Sequence, residues 1–153
     1  WYFVLVGQGE CWEEIRRDIR NKKIQDRVIL TGSRLDIPDY FCSLFGVFLL
    51  PSFYEGLPIV AMDALMSGLG VVYSDRISRE LDDFFSQRIR RVSLDAPKTQ
   101  WIEAIHEMLA AHCETPFALT ELAATPFTLQ SSLEHLISIY QQTDTLDSNC
   151  QFY

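Results

Sequence analysis

The stretch from Leu49 to Asp75, LLPSFYEGLPIVAMDALMSGLGVVYSD, decides the fold of this chain. The apolar run with which it opens predicts a buried strand, and a polar turn, Pro51–Gly56, follows. Pro58 and Gly68 mark the two ends of a helix, because proline suits a first helical position and glycine suits a C-terminal cap. A second apolar run, Val71–Tyr73, predicts another strand. Strand, turn, helix and strand form a βαβ unit, which indicates a parallel sheet in an α/β protein.

Two acidic residues in this stretch have different surroundings. Asp63 is the only charged residue between Gly56 and Ser74, and a carboxylate on an apolar helix has to be paired, neutralised or directed at a polar ligand. Glu55 lies just before the helix, where backbone amides and the helix dipole favour an anion. Spacing alone leaves a plainer interpretation open, in which Glu55 caps the helix and Asp63 accepts a hydrogen bond from a neighbouring amide.

The stretch resembles the donor-binding segment of the retaining glycosyltransferases of family 4, which have the GT-B architecture. The family's pattern is a glutamate, seven residues and a second glutamate, and the matching places here are Pro51-Ser52, Glu55-Gly56, Ala64, Gly68 and Ser74-Asp75. The chain departs from that pattern at Asp63, where glutamate is usual, and at Gly70, where proline is usual.

The resemblance implies a Rossmann-like three-layer αβα parallel sheet, one lobe of a GT-B glycosyltransferase. The resemblance covers residues 1–140, which we expect to form a C-terminal glycosyltransferase domain lacking its first strand. Residues 141–153 are expected to be a polar C-terminal tail. Strands are expected near residues 2–6, 27–30, 46–50, 70–74 and 89–93. Apolar residues at helical spacing also predict three helix stripes that pack on the core. They are Trp12, Ile15 and Ile19, then Trp101, Ile105, Met108, Leu109 and His112, and a later stripe comprises Leu129, Leu133, Leu136, Ile137 and Tyr140.

By the same resemblance, Glu55 is the expected catalytic residue and accepts hydrogen bonds from the hydroxyls of the donor sugar, while Asp63 accepts from the ribose. Amides at a helix N-terminus stabilise a leaving diphosphate without a metal. The expected donor-binding residues are Gly7, Gly9, Gly32, Arg34, Ser52, Glu55, Gly56, Leu57, Ile59 and Asp63. Five residues keep structural alternatives: a tight turn at Gly7 and Gly9, a surface position for Arg34, an exposed position in a short helix or turn for Glu80, and a core position for Tyr40.

Composition narrows the function classes. The net charge of −8 argues against nucleic acid and against an anionic membrane surface as partners. Four cysteines without close spacing indicate thiols in a reducing cytosol and no metal site. No apolar run approaches the ~20 residues of a membrane span. We therefore expect a cytoplasmic protein with no cofactor and no metal. Any association with a membrane surface would be through the missing N-terminal lobe.

Because the chain begins at Trp1 inside a predicted strand, we expect a fragment of a longer enzyme. That enzyme would transfer a hexosyl group from a nucleotide-sugar to a saccharide or lipid-linked acceptor, which a missing N-terminal lobe would hold, in polysaccharide or glycoconjugate synthesis. The chain alone would bind donor weakly and show no turnover. The alternative is a non-catalytic nucleotide-sugar-binding or assembly module, degenerate at Asp63.

Overall fold

The computed structural model describes residues 1–37, 46–111, 123 and 125–147, and for residues 142–147 it describes the backbone alone. The chain divides into two compact units, Trp1–Tyr40 and Phe41–Tyr153. The expectation for Tyr40 falls outside the described residues, as do those for His112 and for three of the cysteines. The remaining cysteine, Cys11, is a free and exposed thiol.

The first unit is a strand, a helix and a strand. Strand β1 (Phe3–Val6) pairs in parallel with β2 (Val28–Gly32), and helix α1 (Trp12–Asn21) connects them. The helix turns its predicted stripe, Trp12, Ile15 and Ile19, to a half-buried position while its other side is exposed. This unit therefore has the parallel βαβ arrangement that its apolar pattern predicts.

The second unit contains a parallel sheet with the order β3-β4-β5. Its strands are β3 (Val47–Leu50), β4 (Gly70–Ser74) and β5 (Ile89–Val92), and its helices are α2 (Ile59–Met66), α3 (Asp82–Phe85), α4 (Lys98–Ala110) and α5 (Leu129–Asp147). A short 3-10 helix, Ser86–Arg88, links α3 to β5. The five strands begin and end within two residues of their predicted positions, and the chain is an α/β protein with parallel sheets of Rossmann-like type.

Helix α2 ends in a closed hydrogen-bonded turn that leads directly into β4. The Gly68 amide donates to the Leu65 carbonyl and the Leu69 amide donates to the Ala64 carbonyl, both at 3.0 Å. Gly68 has a φ of +93°, a left-handed conformation that glycine adopts without the steric penalty of a side chain. This pair of bonds is the Schellman motif, and it fixes the reversal that brings β4 beside β3.

One part of the core of the second unit lies between the sheet and α4. Val72, Val92, Ala104 and Met108 form one buried cluster, against which Trp101 and Ile105 pack. Every residue of β4 is buried, as expected for the central strand of a parallel sheet covered on both faces. The predicted stripe of α4 is thus a core stripe.

The stripe of α5 does not pack as its spacing predicts. Leu129 is 87% exposed and Leu133, Leu136, Ile137 and Tyr140 are each at least 46% exposed. The helix also continues through Asp147, so it runs well past the boundary expected between the domain and a polar tail at residue 141. Helical spacing predicts which side chains share a face, but it does not determine whether that face is covered.

Candidate functional site

The loop between β3 and α2 places Ser52 and Glu55 at the carboxyl end of the sheet, where parallel α/β sheets bind ligands. The Ser52 hydroxyl donates to Glu55 Oε1 at 3.1 Å. The Ser52 carbonyl in turn accepts a hydrogen bond from the hydroxyl of Ser74, a fully buried residue at the end of β4. The Glu55 carboxylate is therefore oriented by a side chain that the end of the neighbouring strand holds in place.

The backbone of Glu55 is held separately by the loop that follows β4. The Ser78 amide donates to the Glu55 carbonyl at 3.2 Å, and Glu55 and Ile77 form an isolated parallel bridge. Glu55 itself is only partly exposed. Fixed at both its side chain and its backbone, it presents one half-exposed carboxylate at the mouth of the loop.

The beginning of α2 offers hydrogen-bond donors beside this carboxylate. Helix α2 begins at Ile59, with Pro58 as its N-terminal cap residue, one residue later than the first helical position expected for Pro58. Within the described part of the chain, no acceptor faces the amides of Gly56, Leu57 and Ile59. There is no acidic side chain in the first turn of α2, so its positive dipole end remains available to an anion.

Asp63 lies on an exposed face of the same helix. It stands four residues after Ile59, which is 63% exposed, and residues at that spacing share a helix face. The Asp63 carboxylate is exposed. Among residues 1–37, 46–111, 123 and 125–147 it has no hydrogen-bond or ion-pair partner, so the interpretation in which it accepts from a neighbouring backbone amide is not what the structure shows. It is free to accept hydrogen bonds from a ligand.

The remaining predicted residues belong to the first unit. Gly7 and Gly32 have φ values of +133° and +71°, and the Gly7 amide donates to the Gly32 carbonyl at 2.9 Å. These two glycines thus serve the turns that follow β1 and β2. Gly9 accepts at its carbonyl from the Trp12 amide at 3.1 Å, at the start of α1.

Arg34 forms a two-pronged ion pair with Asp36. Its Nε and Nη2 atoms donate to the two carboxylate oxygens at 2.8 and 2.5 Å. The hydrogen bond from Arg34 holds the pKa of the Asp36 carboxyl below its usual value. The positive charge expected to meet a base or phosphate is therefore shared with a neighbouring carboxylate.

The structure adds residues that the pattern did not single out for the site. Ser74 and Ser78 support Glu55, and only the Ser74-Asp75 match of the resembling family hinted at the first. Ser78 acts through its backbone amide, so no side-chain pattern could have indicated it. Glu80, expected at an exposed position in a short helix or turn, is an exposed turn residue whose carboxylate accepts from the Ser78 hydroxyl at 3.1 Å.

In the described ranges, no group of three or more His, Cys, Asp and Glu side chains is arranged to hold a metal ion. None of the described helices combines the length and the apolar character that a bilayer crossing requires.

This chain is similar in sequence to known glycosyltransferases. The family model of the glycosyl transferases group 1 matches residues 1–111. The "Putative glycosyltransferase EpsF" of Bacillus subtilis is 31% identical over 147 residues, which are 95% of this chain and 38% of that protein. The UDP-Gal:alpha-D-GlcNAc-diphosphoundecaprenol alpha-1,3-galactosyltransferase of Escherichia coli is 34% identical over 74 residues, 48% of this chain and 19% of that enzyme.

A third relative extends the comparison. The Vi polysaccharide biosynthesis protein VipC/TviE of Salmonella typhi is 37% identical over 70 residues, which are 46% of this chain and 12% of that protein. The chain thus spans well under half the length of each of these three relatives. The residues of this chain that the family model matches include the loop with Ser52 and Glu55.

Proposed function

Because this chain belongs to the glycosyl transferases of group 1, we propose that it forms the donor-binding half of a retaining glycosyltransferase. The enzyme would move a hexosyl group from a nucleotide-sugar to a saccharide or lipid-linked acceptor. One observation carries the proposal: Glu55 is held by Ser52 and Ser78 immediately before the free amides that open α2. A carboxylate and an anion site then stand side by side.

The amides are suited to the leaving group. As the bond between the sugar and the diphosphate breaks, negative charge grows on the diphosphate oxygens. Gly56, Leu57 and Ile59 can donate backbone hydrogen bonds to those oxygens, whereas Pro58 has no amide hydrogen. Donors that are already in place require little rearrangement when charge develops, which is why such sites lower reaction barriers.

Glu55 is suited to the sugar. An ionised carboxylate only accepts hydrogen bonds and can take two donors at once, so it matches a pair of sugar hydroxyls. Positive charge on the sugar ring in the transition state also favours a nearby anion. We assign the same kind of role, toward the ribose diol, to Asp63, and its support is that Asp63 is exposed and has no partner in the described part of the chain.

The relatives bear on the acceptor. The Escherichia coli protein is named for an acceptor linked to diphosphoundecaprenol, and the Salmonella typhi protein is named for polysaccharide biosynthesis. We extend the class of acceptor, a lipid-linked saccharide or a growing polysaccharide, to the present chain as part of the proposal.

The test is donor turnover by the intact protein, because slow transfer of the sugar to water needs no known acceptor. UDP-, GDP- and ADP-hexoses are the probes, and NMR follows the anomer that is released first. We expect one of them to be hydrolysed with retention. Glu55→Gln should lower the rate by about 100-fold or more, the range found when one preorganised polar group is removed, while Glu103→Gln, at an exposed position of α4, leaves it unchanged. Equal rates for the two variants would refute a catalytic role for Glu55.

A second arm separates the enzyme from the non-catalytic alternative. Asp63→Glu restores the family's usual residue and extends the carboxylate by one methylene. In an active enzyme we expect the nucleotide affinity to change by less than about tenfold, which is about 1.4 kcal/mol. A wild-type protein without turnover that gains it through Asp63→Glu would support the degenerate-module alternative.

A further inference from the structure

Arg91 on β5 forms hydrogen bonds to several groups of the second unit. Its side chain is 16% exposed and forms an ion pair with Asp82, from Nε to Oδ2, at 2.5 Å. Its Nη1 donates to the Ile77 carbonyl at 2.7 Å and its Nη2 donates to the Ser78 carbonyl at 2.6 Å. The guanidinium thus binds two successive carbonyls of the β4 loop, which we define as residues 75–81.

The surroundings of Arg91 keep its guanidinium fixed in one orientation. It lies over the ring of Tyr73 at 4.7 Å from the centroid, and the Tyr73 hydroxyl donates to the Asp82 carboxylate. Tyr73 is fully buried and Asp82 is only 25% exposed. A rigid planar fork that binds a carboxylate and main-chain carbonyls together is a specific role that lysine does not reproduce.

A single peptide group connects this network to Glu55. The Ile77 carbonyl that accepts from Arg91 and the Ser78 amide that donates to the Glu55 carbonyl belong to the same planar peptide unit. In a trans peptide the carbonyl and the amide point in opposite directions, so Arg91 lies on one side of the unit and Glu55 on the other. A hydrogen bond to the carbonyl also polarises the amide and strengthens its bond.

We propose that Arg91 is a positioning residue for Glu55, acting through the peptide between Ile77 and Ser78. The inference rests on the catalytic role proposed for Glu55. Arg91 has no need to touch the donor, because it fixes the peptide that fixes the backbone of the catalytic carboxylate. A small displacement of a catalytic group is sufficient to slow a reaction substantially.

The neighbouring residue provides a matched control. Arg90 is also on β5, and it pairs with Glu107 of α4 at 2.7 Å. Its remaining hydrogen bonds go to the Ser86 and Ile89 carbonyls, away from the β4 loop. Arg90→Met therefore removes a guanidinium and an ion pair from the same strand while leaving the peptide between Ile77 and Ser78 untouched.

The experiment compares Arg91→Lys, Arg91→Met and Arg90→Met in the intact protein. Hydrogen exchange of the Ser78 amide measures the link directly, and donor hydrolysis measures its effect. We expect both Arg91 variants to raise Ser78 exchange by about tenfold or more and to lower kcat by about 10- to 100-fold with little change in KM. Arg90→Met should alter neither quantity. Arg91→Lys keeps the positive charge, so this variant still tests the proposal if Arg91→Met does not fold.

The outcomes separate the two proposals. If Glu55→Gln lowers the rate but Arg91→Lys behaves like Arg90→Met in both exchange and kcat, the positioning role is wrong. If Glu55→Gln has no effect, the proposed function fails, while faster Ser78 exchange in Arg91→Lys would still establish the structural link. A loss of activity with unchanged Ser78 exchange would also overturn the mechanism, because the link would be intact.

Discussion

At the scale of single residues, Gly56 has no structural reason to be glycine. A methyl group built on it would meet no atom within 4 Å, and its φ lies outside the left-handed region. The fold therefore tolerates a side chain at this position. Since Gly56 lies between Glu55 and the beginning of α2, the open space beside it is where we expect the donor diphosphate to approach the backbone.

Gly56→Ala should consequently separate binding from stability. We expect the free energy of unfolding to stay within about 0.5 kcal/mol of the wild-type value, as for other surface changes. The affinity for the nucleotide-sugar should fall by about tenfold, because the new methyl group occupies ligand space. Thermal unfolding and calorimetric titration of the intact protein measure the two quantities. An alanine variant with full affinity would show that no ligand approaches this backbone.

Sequence reasoning at this scale singled out the residues to which the proposed function assigns a chemical role. Glu55, Ser52 and Asp63 are recognisable because their types and spacing are unusual in an apolar stretch. The support of Glu55 by the Ser78 amide was beyond sequence reasoning, since every residue except proline carries that group. The engagement of Arg34 by Asp36 was also missed, although only one residue lies between them.

At the scale of secondary-structure elements, the contact between β4 and α4 explains a departure from the resembling family. A Cβ added to Gly70 would lie 3.0 Å from the Cβ of Met108 and 3.3 Å from its sulfur. Met108 is a core residue of α4 with 1% exposure. The close approach of this helix to the first residue of β4 favours glycine over the proline that is usual at this place.

Gly70→Ala should therefore destabilise the protein. We expect a loss of about 1–3 kcal/mol in the free energy of unfolding, the usual cost of forcing an extra carbon into a packed core. Gly9→Ala is the control, because a Cβ at Gly9 meets nothing within 4 Å. Urea unfolding of both variants measures the difference. A Gly70→Ala variant as stable as Gly9→Ala would mean that α4 moves aside at no cost.

The positions of the strands and helices were predicted better than the way in which these elements pack together. The strands and α2 follow from apolar runs, turn residues and the caps at Pro58 and Gly68, all of which are local signals. The stripes of α4 and α5 have the same helical spacing, yet Met108 is buried and Leu136 is 50% exposed. The arrangement of strands in two sheets likewise depends on partners distant in sequence, which local patterns do not specify.

At the scale of the whole molecule, Tyr73 couples the stability of the fold to alkaline pH. Burial, reinforced by the Asp82 carboxylate that accepts from its hydroxyl, raises the pKa of Tyr73 well above its usual value of 10.0. In the unfolded chain the phenol ionises near pH 10, whereas in the folded protein it stays protonated. The stabilisation is complete below pH 10 and is lost as the pH rises from there toward the folded-state pKa.

Between pH 10 and 11 we therefore expect the wild type to lose up to about 1.4 kcal/mol more stability than Tyr73→Phe, since one proton per pH unit corresponds to that free energy. The phenylalanine variant keeps the buried ring and removes the titrating group. Chemical unfolding at both pH values measures the difference, and absorbance of tyrosinate follows ionisation directly. Parallel pH profiles for the two proteins would contradict the assignment.

The peptide that links Arg91 to Glu55 affects how the sequence of this chain can diverge. Hydrogen bonds from main-chain atoms do not depend on which side chains the residues carry. Ser78 and Arg79 can drift in sequence without disturbing Glu55, provided that position 78 keeps an amide hydrogen and so excludes proline. Under the proposed function, evolution can thus explore new side chains beside Glu55, and with them new sugar preferences, while the Glu55 carboxylate keeps its place.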